Sequence, residues 1–143
     1  MLGVFSAMEV AASGLSAERT RMNTVASNLA NARTTRTDAG GPYKRLDPVF
    51  EAVGLDNERG VMATQGGVSK VKVARIQEDT RPGMMVYEPG HPDANAAGYV
   101  EYPNVNIVNE MVDMIEANRA YEANSSVING TKAMILKALE IGR

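Results

Sequence analysis

Cysteine and tryptophan are absent from this 143-residue chain, and phenylalanine occurs only twice. The first absence excludes disulfides and thiolate chemistry. The scarcity of large aromatics means that any core is assembled from small aliphatic side chains and the nine methionines. Methionine adapts to irregular surfaces, so it suits packing shared among partners as well as an ordinary interior. The formal net charge of -2 excludes the strongly basic footprint of a nucleic-acid binder. Arg33, Arg36, Lys44 and Arg45 are a local basic cluster, read as a solvated face. No apolar run approaches the roughly 20 residues that span a bilayer, so no membrane insertion is expected. Met1 to Glu9 lack a basic stretch followed by an uninterrupted apolar one, which argues against a cleaved secretory signal.

Proline is missing from the two ends, and glycine is sparse there. All six prolines and nine of the thirteen glycines fall between Ala39 and Pro103. After Pro103 only Gly130 interrupts the sequence before Gly142, and the spacing predicts one helix from about Asn106 to Ile141. At 1.5 Å per residue it would span on the order of 50 Å, more than a domain of this size needs to cross its own core. A stripe at alternating spacings of four and three runs along it: Ile107, Met111, Met114, Asn118, Tyr121, Ser125, Ile128, Lys132, Ile135 and Leu139. Such a 3.5-residue period keeps one face in line with another helix. At the other end, Ser6 to Glu9 has the form of a capping box, predicting a helix from there to about Asn31. Met8, Leu15, Met22 and Leu29 recur every seven residues along it, with small residues between. Small side chains permit close helix approach, while Gly14 costs about 1 kcal/mol of helix propensity relative to Ala. Such a helix is marginal alone and needs partners.

The middle favours turns and short strands. Val71 to Ile76 alternates as a half-buried strand with a phase slip at Ile76 that suggests a bulge. Arg81-Pro82-Gly83 reads as a turn in which Gly supplies a positive dihedral, returning the chain into a strand at Met84 to Tyr87. Gly98 to Tyr102 is a third strand candidate, and Gly54 to Gly67 a flexible excursion.

No catalytic constellation is present. His91 is the single histidine, in Glu88-Pro89-Gly90-His91-Pro92-Asp93, without a second histidine or a cysteine to complete a typical metal site. A turn in which His91 bonds locally explains it better. No glycine-rich phosphate loop and no nucleophile elbow occur, and Asp113 and Glu116 read as solvated charges on the polar side of their helix. Neither an enzyme nor a cofactor site is expected.

Two ordered sets of motifs carry a resemblance. Ala12-Ser13-Gly14-Leu15-Ser16-Ala17 followed by Ala26-Ser27-Asn28-Leu29-Ala30-Asn31-Ala32 resembles the N-terminal motif of the bacterial flagellar rod, hook and hook-associated proteins. The usual Thr-x-Gly sequel is replaced by Arg33-Thr34-Thr35-Arg36-Thr37, which is similar to the proximal-rod branch of that family. Tyr87 to Ala94, Gly98 to Asn106, Glu110 to Ile115, Arg119 to Asn124 and Lys137 to Ile141 extend the likeness, whereas Leu55 to Gly67 carries little of it. The resemblance implies an axial structural subunit. It would polymerise through its terminal helices into a rod that transmits motor torque across the periplasm, after leaving the cell through the flagellar type III export apparatus. By the same resemblance its partners are itself, FlgB, FlgF and the rod-base adaptor FliE.

The expected fold is therefore α+β. Long N- and C-terminal helices form an antiparallel coiled-coil-like core around a small β-rich insertion, with arms at residues 1–32 and 104–143 and the insertion at 33–103. The expected assembly interface comprises Met8, Leu15, Met22, Leu29, Ile107, Met111, Met114, Tyr121, Ile128, Ile135 and Leu139, with Asn28, Asn31, Asn118 and Asn124 as candidates for setting register. The competing reading is a coiled-coil adaptor or export chaperone that closes on itself as a finite oligomer.

Overall fold

The computed structural model describes residues 2–54 and 68–141, so the excursion expected over Gly54 to Gly67 lies, beyond Gly54, outside the described residues. Two helices, α1 (Leu2–Ala30) and α2 (Ile107–Ile141), enclose four strands in the chain: β1 (Leu46–Gly54), β2 (Ser69–Glu78), β3 (Met84–Tyr87) and β4 (Tyr99–Tyr102). The strands form two separate antiparallel pairs, β1 with β2 and β3 with β4. This is the α+β arrangement expected, with long terminal helices and a small central insertion.

Helix α1 already runs through Ser6 and Glu9, so that pair is not a capping box; Glu9 instead faces Lys70 of β2 at 3.8 Å. The cap logic does hold at α2, where the Asn106 side-chain oxygen accepts from the N–H groups of Val108 and Asn109.

The helices pack antiparallel, as successive contacts show: Gly14 lies against Asn124, Arg21 reaches Asp113 and Glu116, and Asn28 bonds Glu110. A Cβ built on Gly14 would stand 2.8 Å from the Asn124 amide nitrogen, so the glycine that weakens the isolated helix is what lets its middle approach α2. The buried face of α2 is offset from the expected stripe. Met114, Ser125, Ile128 and Ile135 lie half-buried as that spacing requires, but the second column runs through Glu110, Ala117, Asn124 and Thr131, while Met111, Asn118 and Lys132 are exposed. A heptad stripe has two possible flanks, and small or polar residues fit the narrow gap opposite Ala11, Gly14 and Ala17 better than Met or Lys does.

The hairpin β1–β2 lies along α1, where the Ser13 hydroxyl accepts from the Val71 N–H at 3.1 Å. Its register shifts between Val49 and Phe50, leaving Ala74 as the extra residue, so the bulge sits two residues before the expected Ile76. Arg81 to Gly83 does not close a hairpin between β2 and β3, since β3 pairs with β4, and Gly83 has no positive φ. Its lack of a side chain serves proximity instead: a Cβ there would fall 1.9 Å from the Tyr102 carbonyl oxygen.

The interior is thin. Among the described residues the buried apolar side chains are Ala11, Ala17, Val25, Val100, Pro103 and Ala117, none larger than a valine or proline. The chain exposes 10070 Å², whereas a compact monomer of this size exposes roughly 7100 Å².

Candidate assembly interface

The helix pair has two dissimilar ends. At its base, where α1 finishes and α2 begins, polar groups interlock. Asn28 is fully buried, and its amide clamps Leu46, the first residue of β1, as a neighbouring strand would: Nδ2 donates to the Leu46 carbonyl at 2.9 Å and Oδ1 accepts from the Leu46 N–H at 2.8 Å. The same amide donates to Glu110 Oε2 at 3.0 Å and accepts from the Tyr43 hydroxyl at 3.0 Å. Glu110, only 1% exposed, takes the Arg45 Nε on its other oxygen at 2.6 Å. Arg45 also faces Asp47 at 3.4 Å and Asp113 at 3.6 Å. Burial acts to lower the Arg45 pKa, but the hydrogen bond and charge of Glu110, aided by Asp47 and Asp113, outweigh it and hold the guanidinium above its ordinary value.

On another face of the same helix turns, large apolar side chains stand in the open. Val108, Met111, Val112 and Ile115 share one outward face of α2, all about half exposed or more. At the far tip, Val4 and Phe5 of α1 with Met134, Ile135, Ala138 and Leu139 of α2 line an apolar cleft of about 460 Å³. Phe5, Met134, Leu136, Leu139 and Ile141 are exposed there. Single exposed apolar residues are ordinary, whereas clusters of them at both ends of one helix are the kind of surface on which interaction sites are built.

The residues expected from the sequence divide between these environments. Met8, Leu15, Met22 and Leu29 are half-buried along α1, and Met114, Ile128 and Ile135 along α2. Ile107, Met111, Tyr121 and Leu139 are exposed. Of the asparagines, Asn28 ties three elements together and Asn124 fills the gap at Gly14. Asn31 acts locally at the end of α1, donating to the Ser27 carbonyl and accepting from the Thr34 hydroxyl, and Asn118 is exposed.

Two readings of charge are overturned. Arg45 belongs to no solvated face, and Asp113 lies half-buried toward α1 between Arg21 and Arg45. The buried Glu110 carries no distinguishing mark in the sequence. Its partners are 65 and 82 positions away, and the one local signal is a carboxylate within the first turn of an otherwise apolar helix start. His91 sits in a turn, its Nδ1 accepting from the Asp93 N–H at 3.1 Å. Among the described residues no group of three or more His, Cys, Asp or Glu side chains is placed to hold a metal ion, and no helix is long and apolar enough to cross a membrane.

The two helical ends are also the parts matched by known family models. Residues 8–36 match the flagella basal body rod protein model, and residues 96–141 match the C-terminal model of the flagellar basal body rod FlgEFG proteins. Individual relatives cover nearly everything. The flagellar basal-body rod protein FlgC of Borreliella burgdorferi is 45% identical over 98% of each chain. That of Bacillus subtilis is 43% identical over 97% of this chain and 98% of its own. The Escherichia coli O6:H1 protein is 42% identical over 99% of this chain and the whole of its own. With identity of this order over nearly the whole of each chain, the chain belongs to the flagellar basal-body rod protein FlgC family, the structural subunits of the flagellar rod.

Proposed function

We propose that this protein is a subunit of the proximal flagellar rod. The arms at residues 1–32 and 104–143 act together as the assembly unit, the central region faces outward, and the polymer transmits torque across the periplasm. It reaches its place through the flagellar type III export apparatus without a cleaved signal, and it meets copies of itself and the neighbouring rod components FlgB, FlgF and FliE. The role is mechanical, with no reaction catalysed. The observation that carries this reading is the unbalanced burial: a handful of small interior side chains against an open run of Val, Met, Ile and Leu along α2. Neighbouring subunits supply the missing cover, and a contact between unlike patches does not close on itself but repeats along a tube.

The test is a charge placed on that open face. Met111→Asp combined with Ile115→Asp alters side chains that are 53% and 54% exposed, so the isolated chain keeps its fold. Incorporation into basal bodies and motility are expected to be lost. Motile cells with the altered protein in their rods would overturn the reading. Met114 is a poorer choice for this purpose, because it also packs within the chain's own helix pair.

A further inference from the structure

Glu110 is the largest fully buried side chain among the described residues, and it is a carboxylate. Both its oxygens are met from elsewhere in the chain, Oε1 by Arg45 Nε and Oε2 by Asn28 Nδ2. These two partners lie on different elements: Asn28 on α1, and Arg45 on the segment that leads into β1. Arg45 is itself held from several sides. Its N–H donates to the Asn104 side chain at 3.2 Å, its carbonyl accepts from the Asp79 N–H at 2.7 Å, and Asn28 clamps the next residue, Leu46. Asp47 and Asp113 complete the charges facing the guanidinium.

A buried carboxylate deprived of its cation is far worse off than one left in water. The first turns of α2 can therefore close on α1 only when the residue before β1 is in place to meet Glu110. We propose that Asn28, Arg45 and Glu110 form a three-element latch that makes closure of the base of the helix pair conditional on docking of β1. The central hairpin is then a switch for the arms and not a passenger on them, so a disturbance of β1 is transmitted to α1 and α2 although it touches neither in sequence. The latch is a property of the single chain and stands independently of how that chain assembles.

Native-state amide exchange on the full chain at monomeric concentration reads this directly. Arg45→Met, an alteration outside both helices, is expected to raise exchange at least about a hundredfold through residues 17–30 and 107–117. Adding Glu110→Gln removes the stranded charge and is expected to restore most of the protection. Lys44→Met, next to Arg45 but exposed and facing Glu78 at 3.7 Å, leaves the helices unchanged. An Arg45→Met effect confined to β1 and β2 would overturn the latch, as would helices without protection in the unaltered chain. Should Arg45→Met alone fail to fold, a folded double variant supports the latch, and a double variant equally unfolded overturns it.

Discussion

The base and the tip of the helix pair are made from the same two helices but are stabilised in opposite ways. At the base, α1 and α2 are joined by Asn28, Arg45 and Glu110 and backed by β1. At the tip, an apolar cleft lined by Val4, Phe5, Met134 and Leu139 stands open. Buried polar groups demand specific partners within the chain, so the base is defined before any neighbour arrives. Exposed apolar groups accept any complementary apolar surface, so the tip leaves its partner unspecified. The base is specified from within the chain, whereas the tip, like the outward face of α2 at Met111 and Ile115, presents apolar surface to whatever adjoins it.

The sharpest way to break this comparison is to weaken each end in turn. Asn28→Leu leaves the Leu46 N–H and carbonyl and one Glu110 oxygen without their partner, and is expected to cost the isolated chain about 3 kcal/mol or more in denaturant unfolding. Leu139→Ser, at a side chain 64% exposed, should change the same measurement by less than about 0.5 kcal/mol while impairing incorporation into rods. Equal losses at the two sites would erase the distinction between them.

Between the ends lies Gly14, where close approach and helix propensity oppose each other. Alone, Gly14→Ala brings a Cβ to 2.8 Å from the Asn124 amide, and a net loss of about 1 kcal/mol is expected. In an Asn124→Ala background the clash is gone and the same change should stabilise by about 1 kcal/mol. A double-mutant cycle by chemical denaturation measures the difference, and additive effects would show that the helices do not meet there.

The smallest effect is expected beside the base. Arg81 forks onto Asp79, and that hydrogen bond is the main reason the carboxyl is lowered from 3.8 to about 2. A depressed folded-state value means the contribution is complete above the ordinary carboxylate range and disappears as pH falls through about 2. The Arg81 side chain is 76% exposed, so screening by solvent keeps the pair's effect on stability slight. An NMR titration of Asp79 with and without Arg81→Gln should show the lower midpoint only when Arg81 is present.

Much of the fold was legible in the sequence because it rests on local signals. The proline-free ends announced the helices, alternation announced β2, and β3 and β4 stand out as short apolar and aromatic runs bounded by Gly and Pro. Strand β1 was missed because Asp47 and Pro48 disguise it; Pro48 is tolerated in a two-stranded pair whose edges are open. Within the helix stripe, Met114, Ser125, Ile128 and Ile135 are half-buried, whereas Ile107, Met111, Asn118, Tyr121, Lys132 and Leu139 are exposed. Periodicity alone does not say which flank of a column turns inward. The base was illegible for a different reason. Glu110, Asp113 and Arg45 look solvated until distant residues are brought beside them, and nothing local in a carboxylate or a guanidinium records that it will be paired.

The central claim is that the exposed apolar side chains of the helix pair are covered by neighbouring subunits, and the methionines are built-in probes of it. Oxidative footprinting should be compared between the monomer and purified basal bodies at Met111 and Met134, which are 53% and 61% exposed in the single chain. Both are expected to oxidise readily in the monomer and to be protected in the rod. Equal reactivity at these two positions in monomer and rod would contradict it.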